Sequence, residues 1–200
     1  DFKDNNLRYR MGFGWIFIFK NGYYLKEFSD RVEFFSPGNQ LLFTDKIGVK
    51  DVRSCYFNVD EKILIIDYNY IGSKNSLYCY NSQTGEKVYT IDYKIKYNQF
   101  HRAWFFEKKS SILIYENGAN LKVYDMNSGK LKGEIQAFAK DAEAIDFIEQ
   151  KSGEIVFISV KNFYFNLINL DKVELISTYN YKPKARVSSI DQISLRNEEG

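Results

Sequence analysis

The segment LYCYNSQTG, Leu77 to Gly85, returns 44 residues later as LKVYDMNSG, Leu121 to Gly129, and in weaker form as FYFNLINLD, Phe163 to Asp171. A period of about 40–45 residues, with each copy made of short apolar runs and tight turns, is the pattern of β-propeller blades. One copy cannot bury its apolar face alone, so neighbouring copies must stack. The repeat therefore fixes an all-β expectation: four-stranded antiparallel blades, about four of them visible in this chain.

Registering each unit on its last turn lays out the strands. The second unit carries Arg53 to Asn58, Ile63 to Asn69, Leu77 to Asn81 and Lys87 to Tyr93, divided by VDEK, YIGSKNS and SQTGE, all rich in turn residues. The third repeats the plan with HRAWFFE, ILIY, LKVYD and KLKGEI, and the fourth with AIDFIE, EIVFISV, FYFNLI and VELISTY. The first is less regular, with WIFIF, YYLKEF, RVEFF and QLLFT, and its Asn21-Gly22 predicts a type I′ hairpin. The expected blades span residues 15–45, 52–93, 101–136 and 144–180 of a single 1–200 domain, with end strands at 7–11 and 187–195. Two end strands are too few for a fifth blade. The chain is either a four-bladed ring or, as the reading prefers, a piece of a larger propeller. One stretch, Ala137 to Gln150, has helical spacing at Phe138, Ala142, Ile145 and Ile148. The repeat assigns Ala144 to Glu149 to a strand and leaves a helical turn at Lys140 to Ala142.

Composition narrows the function classes. Lys and Arg total 28 against 26 Asp and Glu, with the signs interleaved, so no basic footprint for nucleic acid stands out. The longest apolar run, Trp15 to Phe19, is far short of the ~20 residues of a membrane-spanning helix. The start at Asp1 fits a removed signal peptide, a proteolytic fragment or a cloning boundary equally.

The runs YNSQTGEKVY, Tyr80 to Tyr89, and YDMNSGKLKG, Tyr124 to Gly133, resemble the Asp-x-x-Thr-Gly-Lys turn of PQQ-like, quinoprotein-type propeller repeats. That resemblance implies a turn between the two outer strands of a blade. It does not extend to the quinone: the enzymes of that superfamily stack the cofactor on a Trp beside a vicinal disulfide with calcium, and this chain has Trp15 and Trp104 but no adjacent cysteines. WD-repeat propellers are a second resemblance, without their Gly-His and Trp-Asp dipeptides.

Candidate chemistry is sparse. His101 is the single histidine, so multi-histidine metal sites are excluded and any Ser-His-Asp or Cys-His set depends on it. Cys55 and Cys79 fall on the first and third strands of one blade, ~9.6 Å apart, which is beyond disulfide reach. Two packed thiols are expected. The acids Asp141, Glu143, Asp146 and Glu149 lack calcium-loop spacing. Gly12 to Gly14 reads as a bend rather than a phosphate loop.

The expectation is a non-catalytic binding module that engages a protein partner through inter-blade loops, with no cofactor, metal or nucleic acid. Loops on a rigid frame concentrate binding residues. Position places Tyr93, Lys96, Tyr97, His101, Tyr181 and Lys182 in or beside those loops. The alternative is a segment of a propeller enzyme acting on glycans, with Asp146 or His101 as the residues to test. A small inhibitor or immunity-type protein ranks third, because it lacks the expected charge bias.

Overall fold

A computed structural model describes residues 6–11, 14–48, 50–58, 60–70, 74–94, 103–116, 120–136, 145–149, 155–159 and 164–180. These form four antiparallel sheets, each a meander with strands in chain order. The first sheet holds β1 (Asn6–Met11), β2 (Gly14–Phe19), β3 (Tyr24–Glu27), β4 (Arg31–Phe35) and β5 (Leu41–Lys46). The second holds β6 (Lys50–Phe57), β7 (Ile63–Tyr70), β8 (Lys74–Asn81) and β9 (Lys87–Lys94). The third holds β10 (Ala103–Phe106), β11 (Ser111–Glu116), β12 (Asn120–Asp125) and β13 (Leu131–Gln136). The fourth holds β14 (Ile145–Glu149), β15 (Ile155–Ser159), β16 (Tyr164–Asn169) and β17 (Glu174–Asn180).

Three of the four sheets are four-stranded antiparallel meanders, the form expected of each repeat. The strand expected at 7–11 is not a separate end strand: β1 pairs with β2 from Asn6↔Phe19 to Met11↔Gly14 and makes the first sheet five-stranded. Both β6 and β8 start three residues before the expected position, because polar residues join the ladder. Asn75 pairs with Tyr93 and Ser76 with Asp92, and Ser76 Oγ donates to Asp92 Oδ1 at 2.5 Å. The expected 187–195 strand and the Lys140 to Ala142 turn lie outside the described residues.

The Asn21-Gly22 hairpin also differs from expectation. Only Gly22 has positive φ, 84°, among its loop residues. The Gly22 N–H donates to Phe19 O at 3.0 Å and the Phe19 N–H to Tyr23 O at 2.9 Å. This is a three-residue loop ending in a left-handed glycine, which keeps Asn21 out of the strained region that type I′ would require.

A shared device closes the last hairpin of every sheet. Asn39, Gly85, Gly129 and Val173 all take left-handed φ, at 63°, 71°, 67° and 54°. Each turn leads into a register shift, between Phe34/Phe35, Cys79/Tyr80, Val123/Tyr124 and Leu167/Ile168. The left-handed residue and the following bulge restore the strand twist after a type I bend. Asparagine starts two of the turns: Asn81 Oδ1 accepts from the N–H groups of Gln83 and Thr84, and Asn169 Oδ1 from those of Asp171 and Lys172.

The chain packs as two compact units, Asp1–Ile95 with Met126–Gly129, and Lys96–Asp125 with Lys130–Gly200. In the first, Phe17, Leu25, Phe34, Phe57, Leu64 and Ile66 form one core with residues from both sheets. Phe57 anchors it, with ring centroids 5.0 Å from Tyr23, 5.3 Å from Phe34 and 5.4 Å from Phe19. Leu64 to Tyr68 are buried without alternation, so the middle of β7 is covered on both faces. In the second unit Phe106, Leu113, Leu121, Val123, Ile155 and Ile168 form the core, and Trp104 meets Phe147 edge-on at 4.5 Å. Burying each such side chain contributes about 1.5–3 kcal/mol.

Candidate functional site

The first unit contains a cleft of about 690 Å³, lined by residues of β1, β2, β3, β6 and β7 and by Phe28 and Ser29 after β3. Arg8 and Arg10 are two residues apart on β1 and therefore share one face of it. Register sets Arg10 opposite Trp15 and Arg8 opposite Phe17. The Arg8 guanidinium lies over the Trp15 ring, 3.8 Å from its centroid, a cation–π geometry. Its Nη1 and Nη2 reach the carbonyls of Arg53 and Val52 at 3.4 Å each. Burial pulls the Arg8 pKa down, and nearby Glu27, Cys55 and Asp51 oppose that pull.

Arg53 reaches the cleft through a break in the ladder. Val52 pairs with Tyr68 and Ser54 with Asp67, which leaves Arg53 as the extra residue of a bulge. Bulges of this kind re-aim a side chain. Arg53 Nη2 donates to Asn69 Oδ1 at 3.0 Å and to Asn75 Oδ1 at 3.2 Å, while Nη1 is buried with no partner. The guanidinium is thus held by two neutral amides. None of Arg8, Arg10 and Arg53 makes an ion pair among the described residues.

Glu27 closes the other side. It is 7% exposed, its Oε1 accepts the Val52 N–H at 2.6 Å, and its Oε2 is buried without a partner. Burial raises its pKa first and Asp51 adds to the rise, whereas the Val52 N–H and Arg8 hold it down. The cleft is therefore a set of guanidinium donors beside an aromatic face and two carboxyls, Glu27 and Asp51. Chemically it can hold an anionic group.

Of the residues expected from sequence, Tyr93 does not line the cleft. Tyr93 is 2% exposed and its hydroxyl donates to buried Asp67 at 2.5 Å, so it is an interior residue rather than a loop contact. Lys96, Tyr97, His101, Tyr181 and Lys182 lie outside the described residues, as do Asp141 and Glu143. Glu149 stands 3.9 Å from Lys108 Nζ. Cys55 and Cys79 are both buried free thiols on β6 and β8, with β7 between them. No group of three or more metal-ligating side chains occurs among the described residues. Sequence reading missed the cleft, whose one local sign was the Arg-x-Arg alternation in LRYRM.

No protein-family model matches the sequence, and no curated protein matches it. Solved structures do resemble the chain. BamB from Moraxella catarrhalis matches with a TM-score of 0.51 at 9% identity, covering 89% of this chain and 48% of that one. A quinohemoprotein alcohol dehydrogenase from Comamonas testosteroni matches with a TM-score of 0.56 at 12% identity, covering 81% of this chain and 34% of that one. Both are PQQ-like β-propellers. This chain has a β-propeller fold. A Bacteroides caccae protein of unknown function matches at 13% identity with a TM-score of 0.49, covering 80% of this chain and 58% of that one. The chain thus spans between 34% and 58% of the length of these structures. At such identities PQQ-like describes the strand plan alone, not a cofactor. No helix among the described residues is long and apolar enough to cross a membrane.

Proposed function

We propose that this chain is a non-catalytic propeller module that binds a protein partner, with the Arg8–Arg10–Arg53 cleft as part of its contact surface. The observation that carries this reading is the trio of guanidinium groups at one cleft without ion-pair partners among the described residues. Fixing Arg53 on two amides costs side-chain entropy before any ligand arrives, which is how a preorganised recognition site is built. The inter-blade residues Lys96, Tyr97, His101, Tyr181 and Lys182 are proposed as further contacts, on sequence position.

The test is capture from an extract of the source organism with the immobilised full chain, cross-linked and identified by mass spectrometry. A partner retained by the wild type is the expected result, and an Arg8→Gln/Arg10→Gln variant should retain less of it. Retention of no macromolecule overturns the reading.

A second reading, a segment of a propeller enzyme acting on glycans, is favoured by one feature. Glu27 is a buried, cleft-lining carboxyl with a raised pKa, the property of a general acid. Hydrolysis or elimination on a glycan panel, lost in Glu27→Gln, supports that reading over the first.

A further inference from the structure

We propose that the cleft is a carboxylate-binding site that takes an acidic side chain of a peptide or protein. The inference rests on the binding reading above and names the chemistry of its ligand.

Arginine forks match a carboxylate in plane and bind it with two donors at once. Arg10 is exposed and has no hydrogen bond or ion pair among the described residues. Arg8 is already oriented: stacking on Trp15 fixes the plane of its guanidinium, and its contacts to the Val52 and Arg53 carbonyls are long, at 3.4 Å. Exchanging those weak contacts for a charged acceptor is favourable. Arg53 adds a third guanidinium to the wall, with its Nη1 buried and without a hydrogen-bond partner. Two carboxyls, Glu27 and Asp51, also line the cleft. Three guanidinium groups stand against these two carboxyls in the lining, so the balance of charged groups favours an anion. A side-chain carboxylate on a peptide fits better than a bare oxyanion, because the cleft of about 690 Å³ also offers Trp15 and Phe28 to the atoms carrying it.

Titrating the full chain by calorimetry with a tetraglutamate peptide blocked at both ends, against the matching tetraglutamine peptide and inorganic phosphate, tests the proposal. Fluorescence of Trp15 in a Trp104→Phe background gives a second readout. The expected result is saturable binding of tetraglutamate alone, accompanied by a change in Trp15 emission. Affinity should fall about tenfold in Arg10→Gln, the loss of one charge-assisted pair, and should fall with added salt. Arg10 is exposed, so that variant keeps the fold. Equal binding of the two peptides, equal or tighter binding of phosphate, or an Arg10→Gln affinity unchanged from wild type overturns the proposal. A partner captured equally well by wild type and Arg10→Gln would leave the module reading standing and remove the carboxylate site from it.

Discussion

Val173 occupies the left-handed region with φ 54° and lies against Gly133, where an added Cβ would come within 3.0 Å of Val173 Cγ1. In the first unit the two sizes are exchanged: Gly85, with φ 71°, lies against Phe43, and Gly129, with φ 67°, lies against Tyr89. Phe43, Tyr89 and Gly133 are each the third residue of β5, β9 and β13. A turn residue of one hairpin thus fills the space above the outer strand of the preceding sheet, and one member of each pair is glycine. Gly133→Tyr alone should destabilise the chain by at least ~2 kcal/mol through overpacking against Val173. Adding Val173→Gly should recover more than half of that loss, because it restores the arrangement of Gly129 and Tyr89. Urea midpoints of the two single variants and the double variant check this, and simple additivity would contradict it.

Gly85→Ala should cost about 2–4 kcal/mol, from the left-handed backbone and from crowding together. Its Cβ would fall 2.4 Å from Phe43 Cβ and 2.8 Å from Phe43 Cγ. Both parts can be separated. In a Phe43→Gly background the crowding atoms are all absent and the backbone cost of about 1–2 kcal/mol remains, so the same substitution should be milder there by equilibrium unfolding.

The two cysteines should be silent in the native state. Cys55 and Cys79 are both 0% exposed, and burial pushes the Cys79 thiol up to about 11, opposed by its contact with Tyr89. The thiolate is the reactive form, so native protein at pH 8 should react with a thiol reagent only through unfolding. Ellman titration should report no fast thiols in buffer and two in urea. Fast modification of the folded chain would contradict the packing of β6 and β8.

The four sheets and their last turns were legible because they depend on local chemistry repeated at a fixed period. Asn81 and Gly85, or Asp125 and Gly129, announce their turns within five residues. Val173 does not, since valine is no signal for a left-handed turn and the residue that leaves room for its side chain is Gly133, in another sheet. The cleft was illegible for the same reason: Arg8, Glu27, Arg53 and Asn69 come from β1, β3, β6 and β7, and Arg53 depends on a bulge that breaks the alternation of its own strand. Tyr93 stands at a strand end, where a tyrosine reads as a loop residue, and only the acceptor Asp67, far away in sequence, makes it an interior one.

Glu27 should give the stability a pH dependence that Glu27→Gln removes. Its pKa in the fold is raised above the ordinary value of 4.5, by burial first and then by Asp51, against the Val52 N–H and Arg8. Folding therefore favours the protonated carboxyl. Its contribution to stability is fully present below the ordinary glutamate pKa and is lost as pH rises through the raised value. Glutamine keeps the carbonyl that accepts the Val52 N–H and carries no charge to desolvate. Wild type should then lose stability between about pH 4 and neutrality relative to Glu27→Gln, and the two should converge at the acid end. Urea unfolding of both proteins across that range checks the sign. Parallel profiles would mean that Glu27 ionises in the fold as readily as in the unfolded chain, and would remove the argument that this side of the cleft tolerates an incoming anion.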